Sequence, residues 1–350
     1  PMASFASVPI SDMVSSSRNC LRWPHLGRKP PRRGRKNARV PGGHLLDAPR
    51  RSVFSRGMIL RKSMDLAGAA GLIGFSTLLA FNQVVVKLTN DGISPVLSAG
   101  LRSAIGVLVL GLWIAWRRPD ALSGMAQAKA GGLLLGLLFS AEFMALFTAL
   151  DYTTVSRGSI VFYSMPVWLA LAAHLWLPGE RLTRGRLLGL VLAMAGVGWA
   201  LWDPQSRSVG DWRGDALALI ASLLWAGIVL TVRLGQAERL SAEAQLMWQV
   251  AVSALLLPVL APFFGPLLRA PTALHWGGVL FQGVVVVGVG FTFWMGVMKR
   301  YRASDVAAFS FLSPVLAVAM GWLVLGEPVG PNFLGALVLV AAGIVLINRR

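Results

Sequence analysis

From residue 66 onward the chain is a succession of apolar stretches, each about as long as a bilayer is thick, separated by short polar breaks. A spanning helix needs ~20 mostly apolar residues. Ten such stretches can be drawn: 66–87, 95–116, 131–150, 154–177, 185–202, 214–233, 242–263, 276–298, 303–325 and 331–348. In hydrocarbon every backbone N–H and C=O must find its partner within the protein. Long apolar runs therefore fold as helices, whereas the strands of a barrel would alternate in polarity. Only 14% of the residues are charged, against ~25% in soluble domains, too few to cover a water-soluble globule. The expected fold is an all-α membrane protein with ten transmembrane helices. Pro258, Pro262, Pro266 and Pro271 crowd the end of the seventh stretch and the loop beyond it, so the seventh and eighth are the least sharply bounded.

Residues 1–65 have a different composition. They hold 14 Lys and Arg against three acids, Asp12, Asp47 and Asp65, and include the run Arg28-Lys29-Pro30-Pro31-Arg32-Arg33-Gly34-Arg35-Lys36. No apolar period is visible, and disorder is expected. Three readings stay open: a translated upstream extension, with Met58 or Met64 the working start; a polybasic arm at anionic lipid; or an organelle transit peptide. No apolar stretch follows these charges within the segment, so a secretory signal is not expected. The net charge of +18 invites a nucleic-acid reading, but most of the excess sits here, and no nucleic-acid partner is expected for the bundle.

Loop charges orient the helices. With the N-terminus in the cytoplasm, 13 Lys and Arg of residues 66–350 fall on the cytoplasmic side and 5 on the other, with Arg102 inside a helix. Both termini then lie inside, which requires an even number of spans. The single cysteine, Cys20, excludes a disulfide framework, and His25, His44, His174 and His275 are scattered without metal-ligand spacing. No cofactor or metal is expected.

The chain also repeats itself about every 148 residues. Pro166-Val167-Trp168 matches Pro314-Val315-Leu316, and Leu177-Pro178-Gly179-Glu180 matches Leu325-Gly326-Glu327 with one insertion. Phe81-Asn82 with Lys87 closes the first stretch as Trp225-Ala226 with Arg233 closes the sixth. Five spans per unit, an odd number, bring the second copy in from the opposite face. The units are 66–202 and 203–350, two inverted five-helix repeats, an arrangement characteristic of secondary transporters.

These features resemble an EamA-type carrier of the drug/metabolite transporter superfamily over the 285 residues from 66 to the end. The resemblance rests on Phe81, Asn82 and Lys87, on Arg102, Pro166 and Gly179-Glu180-Arg181, and in the second copy on Trp225, Arg233, Pro314 and Gly326-Glu327-Pro328. Phe81 stands where the family often has Trp, and Trp248 occupies the place equivalent to Arg102. The resemblance implies movement of small metabolites such as amino acids, and a bacterial inner membrane as the location.

Polar groups within spans are costly and usually face a cavity or a partner. Arg102 and Glu142 fall at similar depth on consecutive helices. Either they form an ion pair holding those helices together, or they line a cavity where Arg102 attracts a carboxylate and Glu142 takes an amine or a proton. Asn82, Gln83, Ser159, Tyr163 and Gln282 reach the same zone. Trp225, Trp248, Gln249, Ser310 and Ser313 reach the middle from the other half. Pro166 and Pro314 each remove a helical hydrogen bond, giving a static kink or a gating hinge. Glu180 and Glu327 end helices whose C-terminal dipoles oppose a carboxylate. They pair with loop cations such as Arg184 or cap a neighbouring helix. Gly132-x-x-x-Gly136 and Gly185-x-x-x-Gly189 permit close helix contact.

Three function classes are compatible with a helical membrane chain. A membrane enzyme would want paired acids, a Ser-His pair or a metal cluster, and only Glu142 lies well inside a span. A channel or scaffold would want a continuously lined pore or none at all. A secondary carrier, working by alternating access and proton-coupled, explains both the duplication and the membrane polar groups. No phosphate-cradling G-x-x-x-x-G-K-[ST] occurs, so ATP is not expected to drive it. The expected partners are a small-molecule substrate and the lipid bilayer, with a homodimer left open.

Overall fold

The structure, a computed structural model, describes residues 64–177, 182–202, 210–235, 237, 240–301, 309 and 312–348. The basic segment 1–63, the Gly179-Glu180-Arg181 turn and Ser310 lie outside the described residues. The α-helices of eight or more residues are α1 (Leu66–Asn90), α2 (Pro95–Arg117), α3 (Lys129–Tyr152), α4 (Val155–Phe162), α5 (Met165–Trp176), α6 (Arg184–Trp202), α7 (Trp212–Arg233), α8 (Ala242–Leu260), α9 (Ala273–Phe281), α10 (Gly290–Arg300), α11 (Leu312–Leu325) and α12 (Pro331–Asn348). A π-helix, Gln282–Val289, joins α9 to α10. No strand occurs among the described residues.

Short polar side chains set the helix starts, because the first N–H groups of a helix have no internal partner. Asp65 accepts from Gly68 N at 2.8 Å to begin α1, and Tyr301 Oη also donates to it. Ser94, followed by Pro95, begins α2, Thr154 begins α4, Asp211 begins α7 and Ser241 begins α8.

Among the described residues, eight helical segments are long and apolar enough to cross a membrane, counting α4 with α5 and α9 with α10 as one each. Two shorter apolar helices follow, Leu312–Leu325 and Pro331–Ile347. The ninth expected span is short because residues 302–308, 310 and 311, before α11, fall outside the described residues.

Two expected spans are not continuous α-helix. The fourth breaks between α4 and α5. Pro166 has no N–H to give to Phe162, and the chain steps through Tyr163 and Ser164, where Ser164 N bonds Val161 O at 3.1 Å. Ser164 Oγ also donates to Val161 O and accepts from Trp168 Nε1. The eighth carries the π-helix, a feature often found at functional sites.

Small residues bring helices together. At the seam of α6 on α12 backbone meets backbone: a Cβ on Gly343 would stand 2.5 Å from Gly189 O. Ala193 also meets Gly343, and Gly196 continues the line against Ala336 and Val340. Of the expected Gly185/Gly189 pair, only Gly189 takes part, since Gly185 faces open space. Between α3 and α8, Gly132 lies under the indole of Trp248 and Gly136 under Val252. Lipid tails are as apolar as side chains, so close packing supplies much of the cohesion here. Gly343→Leu is expected to cost ~3 kcal/mol or more, at the upper end of overpacking, because backbone rather than a movable side chain blocks it. An unchanged melting temperature in detergent would show that the seam is looser than described.

Candidate functional site

One end of the bundle is tied by a polar network around Thr153. Lys87 Nζ donates to Leu150 O and Thr153 O, both at 2.8 Å, and so caps the C-terminus of α3. Asn90 Nδ2 donates to Phe147 O. The buried Arg157 pairs with Asp215 at 2.5 Å, and Thr153 Oγ1 donates to the same carboxylate. Arg269 reaches Asp151 at 2.8 Å and also Asn90 O. From sequence, Arg157 and Arg269 count only as cations on the non-cytoplasmic side, and Lys87 also as a marker of the repeat. Asp215, three residues into α7, was the legible sign of a partner there.

The Gly-Glu pair after α11 belongs to this network. Gly326 takes φ 66, a left-handed conformation that ends helices at little cost only for glycine. The chain reverses, and the Glu327 carboxylate turns away from α11 toward the start of α4. It accepts from Val155 N at 2.6 Å, Ser156 N at 2.8 Å and Ser156 Oγ at 2.6 Å. A carboxylate that would oppose the dipole at the end of its own helix thus favours the one at the start of another. Of the two roles expected for Glu327, it takes the neighbouring cap. Glu180 lies outside the described residues.

Below this network, six of the expected residues come to one level. At 1.5 Å per residue, Gln83 and Arg102 lie ~10 Å from their helix ends, Asn82 and Tyr163 ~12 Å, Gln282 ~14 Å and Glu142 ~15 Å. All six are buried. Arg102 Cζ stands 3.9 Å from the ring centroid of Phe143, 5.5 Å from Phe147 and 5.9 Å from Phe139. These three rings form a ladder on α3 at four-residue spacing, the spacing that puts side chains on one helix face. Sequence reading passed over the ladder, although its period was visible.

Glu142 precedes Phe143 and so projects about 100° around α3 from it. Arg102 and Glu142 close no contact at ion-pair distance. Among the described residues, neither the guanidinium nitrogens nor the carboxylate oxygens have a hydrogen-bond partner. The ion-pair alternative is therefore not the arrangement adopted: the guanidinium lies on the rings instead. A desolvated cation–π contact contributes ~2 kcal/mol, less than the several kcal/mol of burying each charge. The pair is held at a net cost by the surrounding fold.

The neighbouring polar groups are also incompletely matched. Tyr163 Oη has no partner within hydrogen-bond distance among the described residues. Gln282 Nε2 donates to Thr89 Oγ1 at 3.3 Å, while Gln282 Oε1, Asn82 Oδ1 and Ser159 Oγ have no partner among the described residues. The π-helix packs on α2 at this level, where a Cβ on Gly283 would meet Ile105 and Arg102 O.

Residues from the second half are placed elsewhere. Trp248 and Gln249 lie ~9 and ~10 Å from the opposite end of the bundle, at the start of α8. The Trp248 indole covers Gly132, which is ~16 Å along α3 from Phe143. Trp225 is buried ~20 Å from the start of α7, deeper than Glu142. Trp248 and Gln249 thus do not join Arg102 as expected, because α8 enters from the other end. Pro166 follows the α4–α5 break, whereas Pro314 is the third residue of α11, with residues 310 and 311 outside the described set.

The profile of the EamA-like transporter family matches residues 66–202 and again 212–349. The chain is 25% identical to an uncharacterized transporter, YoaV, of Bacillus subtilis, over 79% of this chain and 94% of that protein. It is 28% identical to the aromatic amino acid exporter YddG of Ancylobacter novellus, again over 79% of this chain and 94% of that protein. A solved crystal structure shares the fold with a TM-score of 0.58 at 23% identity, covering 79% of this chain and 96% of the other.

Proposed function

Because the chain belongs to the EamA-like transporter family, a membrane transporter of small metabolites, we propose that it is a secondary carrier exporting an amino-acid-like, amphipathic solute by alternating access. Its relative YddG is named an aromatic amino acid exporter, which supports that class of solute. The observation that carries the reading is the Arg102–Glu142 pair, a buried base and a buried acid at similar depth, unpartnered among the described residues and beside an aromatic ladder. A zwitterion satisfies both: its carboxylate meets Arg102, its ammonium meets Glu142, and an apolar side chain lies along Phe139, Phe143 and Phe147. Glu142, emptied of solute, takes a proton and couples the return step to the proton gradient.

The proposal includes ten spans in two inverted five-helix units with both termini in the cytoplasm. The double family match supports it. The α4–α5 break is the discontinuity that such carriers place at the solute site.

The test is a panel of radiolabelled amino acids and other small solutes offered to proteoliposomes of the full chain. Flux of at least one zwitterionic, apolar solute is expected without ATP, and Glu142→Gln is expected to flatten its pH dependence. A folded protein that moves no member of the panel defeats the carrier reading. Unaltered pH dependence in Glu142→Gln removes that residue from coupling.

A further inference from the structure

We propose that a cavity at the Arg233 end of the bundle binds the phosphate of an anionic phospholipid headgroup. The cavity has a volume of about 110 Å³, room for three or four waters at roughly 30 Å³ each, or for one phosphate group. Arg186, from the first turn of α6, and Arg233, the last residue of α7, both line it. Its floor is apolar, formed by Leu169 and Ala173 of α5 and Ile347 of α12. Both arginines are half-buried.

A second observation selects a lipid over a free anion. The helices that wall the cavity expose large apolar side chains beside it: Leu175 and Trp176 of α5, and Leu187 and Leu188 of α6, all at least half exposed. A cationic pocket bordered by apolar helix surface matches a phospholipid, whose phosphate sits above its acyl chains. Trp176 also fits the interfacial belt. Pro166, next to the α4–α5 break, forms part of the wall, so an occupant touches the start of α5. The site lies at the opposite end from the Thr153 network and does not depend on which solute is carried.

The test is native mass spectrometry of the full chain released from micelles doped with equal phosphatidylglycerol and phosphatidylcholine. Retained phosphatidylglycerol is expected to exceed phosphatidylcholine by up to about thirtyfold, the equivalent of ~2 kcal/mol for two arginines. Arg186→Gln with Arg233→Gln is expected to bring the ratio close to one. The exposed neighbour Arg184, changed to Gln, is expected to leave it intact. Arg186→Lys with Arg233→Lys keeps the charge and is expected to retain most of the preference, which covers the case in which the glutamine variant fails to fold. A preference that survives in the folded glutamine variant, or is lost equally in Arg184→Gln, overturns the site. In a parallel thermal-shift arm, inorganic phosphate alone is expected to leave the melting temperature unchanged. Stabilisation by phosphate equal to that by phosphatidylglycerol overturns the lipid assignment. A chain that carries no solute at all would still show the lipid preference, so this result and the transport result fail separately.

Discussion

Replacing Arg102 by Met is expected to stop transport and, in the same protein, to raise the melting temperature. The two effects come from one cause. The guanidinium is fully buried on the Phe139–Phe143–Phe147 ladder without a hydrogen-bond partner among the described residues. Exchanging buried ionic groups for apolar ones of similar volume is often neutral or stabilising, by ~1–4 kcal/mol. Against this stands the lost ring contact, ~2 kcal/mol at most. The balance falls toward stabilisation, and more so when Glu142→Gln is added. Transport moves the other way. Losing one charge-assisted contact to a solute carboxylate costs ~3 kcal/mol, about 100-fold at 1.4 kcal/mol per tenfold. Proteoliposome flux and a detergent melting curve on the same preparation read both. A variant that is less stable yet transports normally would make Arg102 a packing residue.

Glu327→Ala carries the second large effect, and here stability falls. Its carboxylate accepts two backbone N–H groups and one hydroxyl at the start of α4, and all three donors are buried. Hydrogen bonds to a charged acceptor contribute ~1.5–3 kcal/mol each, and stranded donors bear a desolvation penalty. A loss of about 3–5 kcal/mol is expected. At roughly 2–4 °C per kcal/mol for chains somewhat smaller than this one, the melting temperature falls by roughly 6–20 °C. Ser156→Ala removes only the hydroxyl bond and is expected to lose about a third as much. Equal melting of Glu327→Ala and the parent chain would mean that Thr154 alone suffices to start α4.

The helical, multi-pass architecture was legible because bilayer thickness fixes segment length, and apolar runs cannot hide in a chain with so few charges. The interruptions were less so. Pro166 announced a perturbation, but only the Ser164 side chain, bonding back to Val161 O, turns a bend into a gap. Nothing in Gln282-Gly-Val-Val-Val-Val-Gly-Val distinguishes a π-helix from an α-helix, since composition does not encode which carbonyl an amide selects. Arg102 and Glu142 stood out because charge within a span is conspicuous. That they would not touch was invisible, because their separation depends on helix rotation, and the Phe ladder captures the guanidinium first. Trp248 was assigned to the centre by analogy with Arg102, yet equivalent places in oppositely directed helices fall at opposite levels. Glu327 looked misplaced locally because its partner lies 171 and 172 residues away in sequence.

The two-sided grip on α4 has a mechanical corollary. Its eight residues are clamped at the top by Glu327 and by the Arg157–Asp215 bridge, so this stub behaves as a fixed bracket. Beneath it the ladder of amides is interrupted, and α5 hangs as a separate rod of 12 residues, ~18 Å long. Torsion applied to the span is therefore taken up at Ser164 and not shared along its length. A turn of about 10° there sweeps the far tip of α5 by roughly 3 Å, about the diameter of one water molecule.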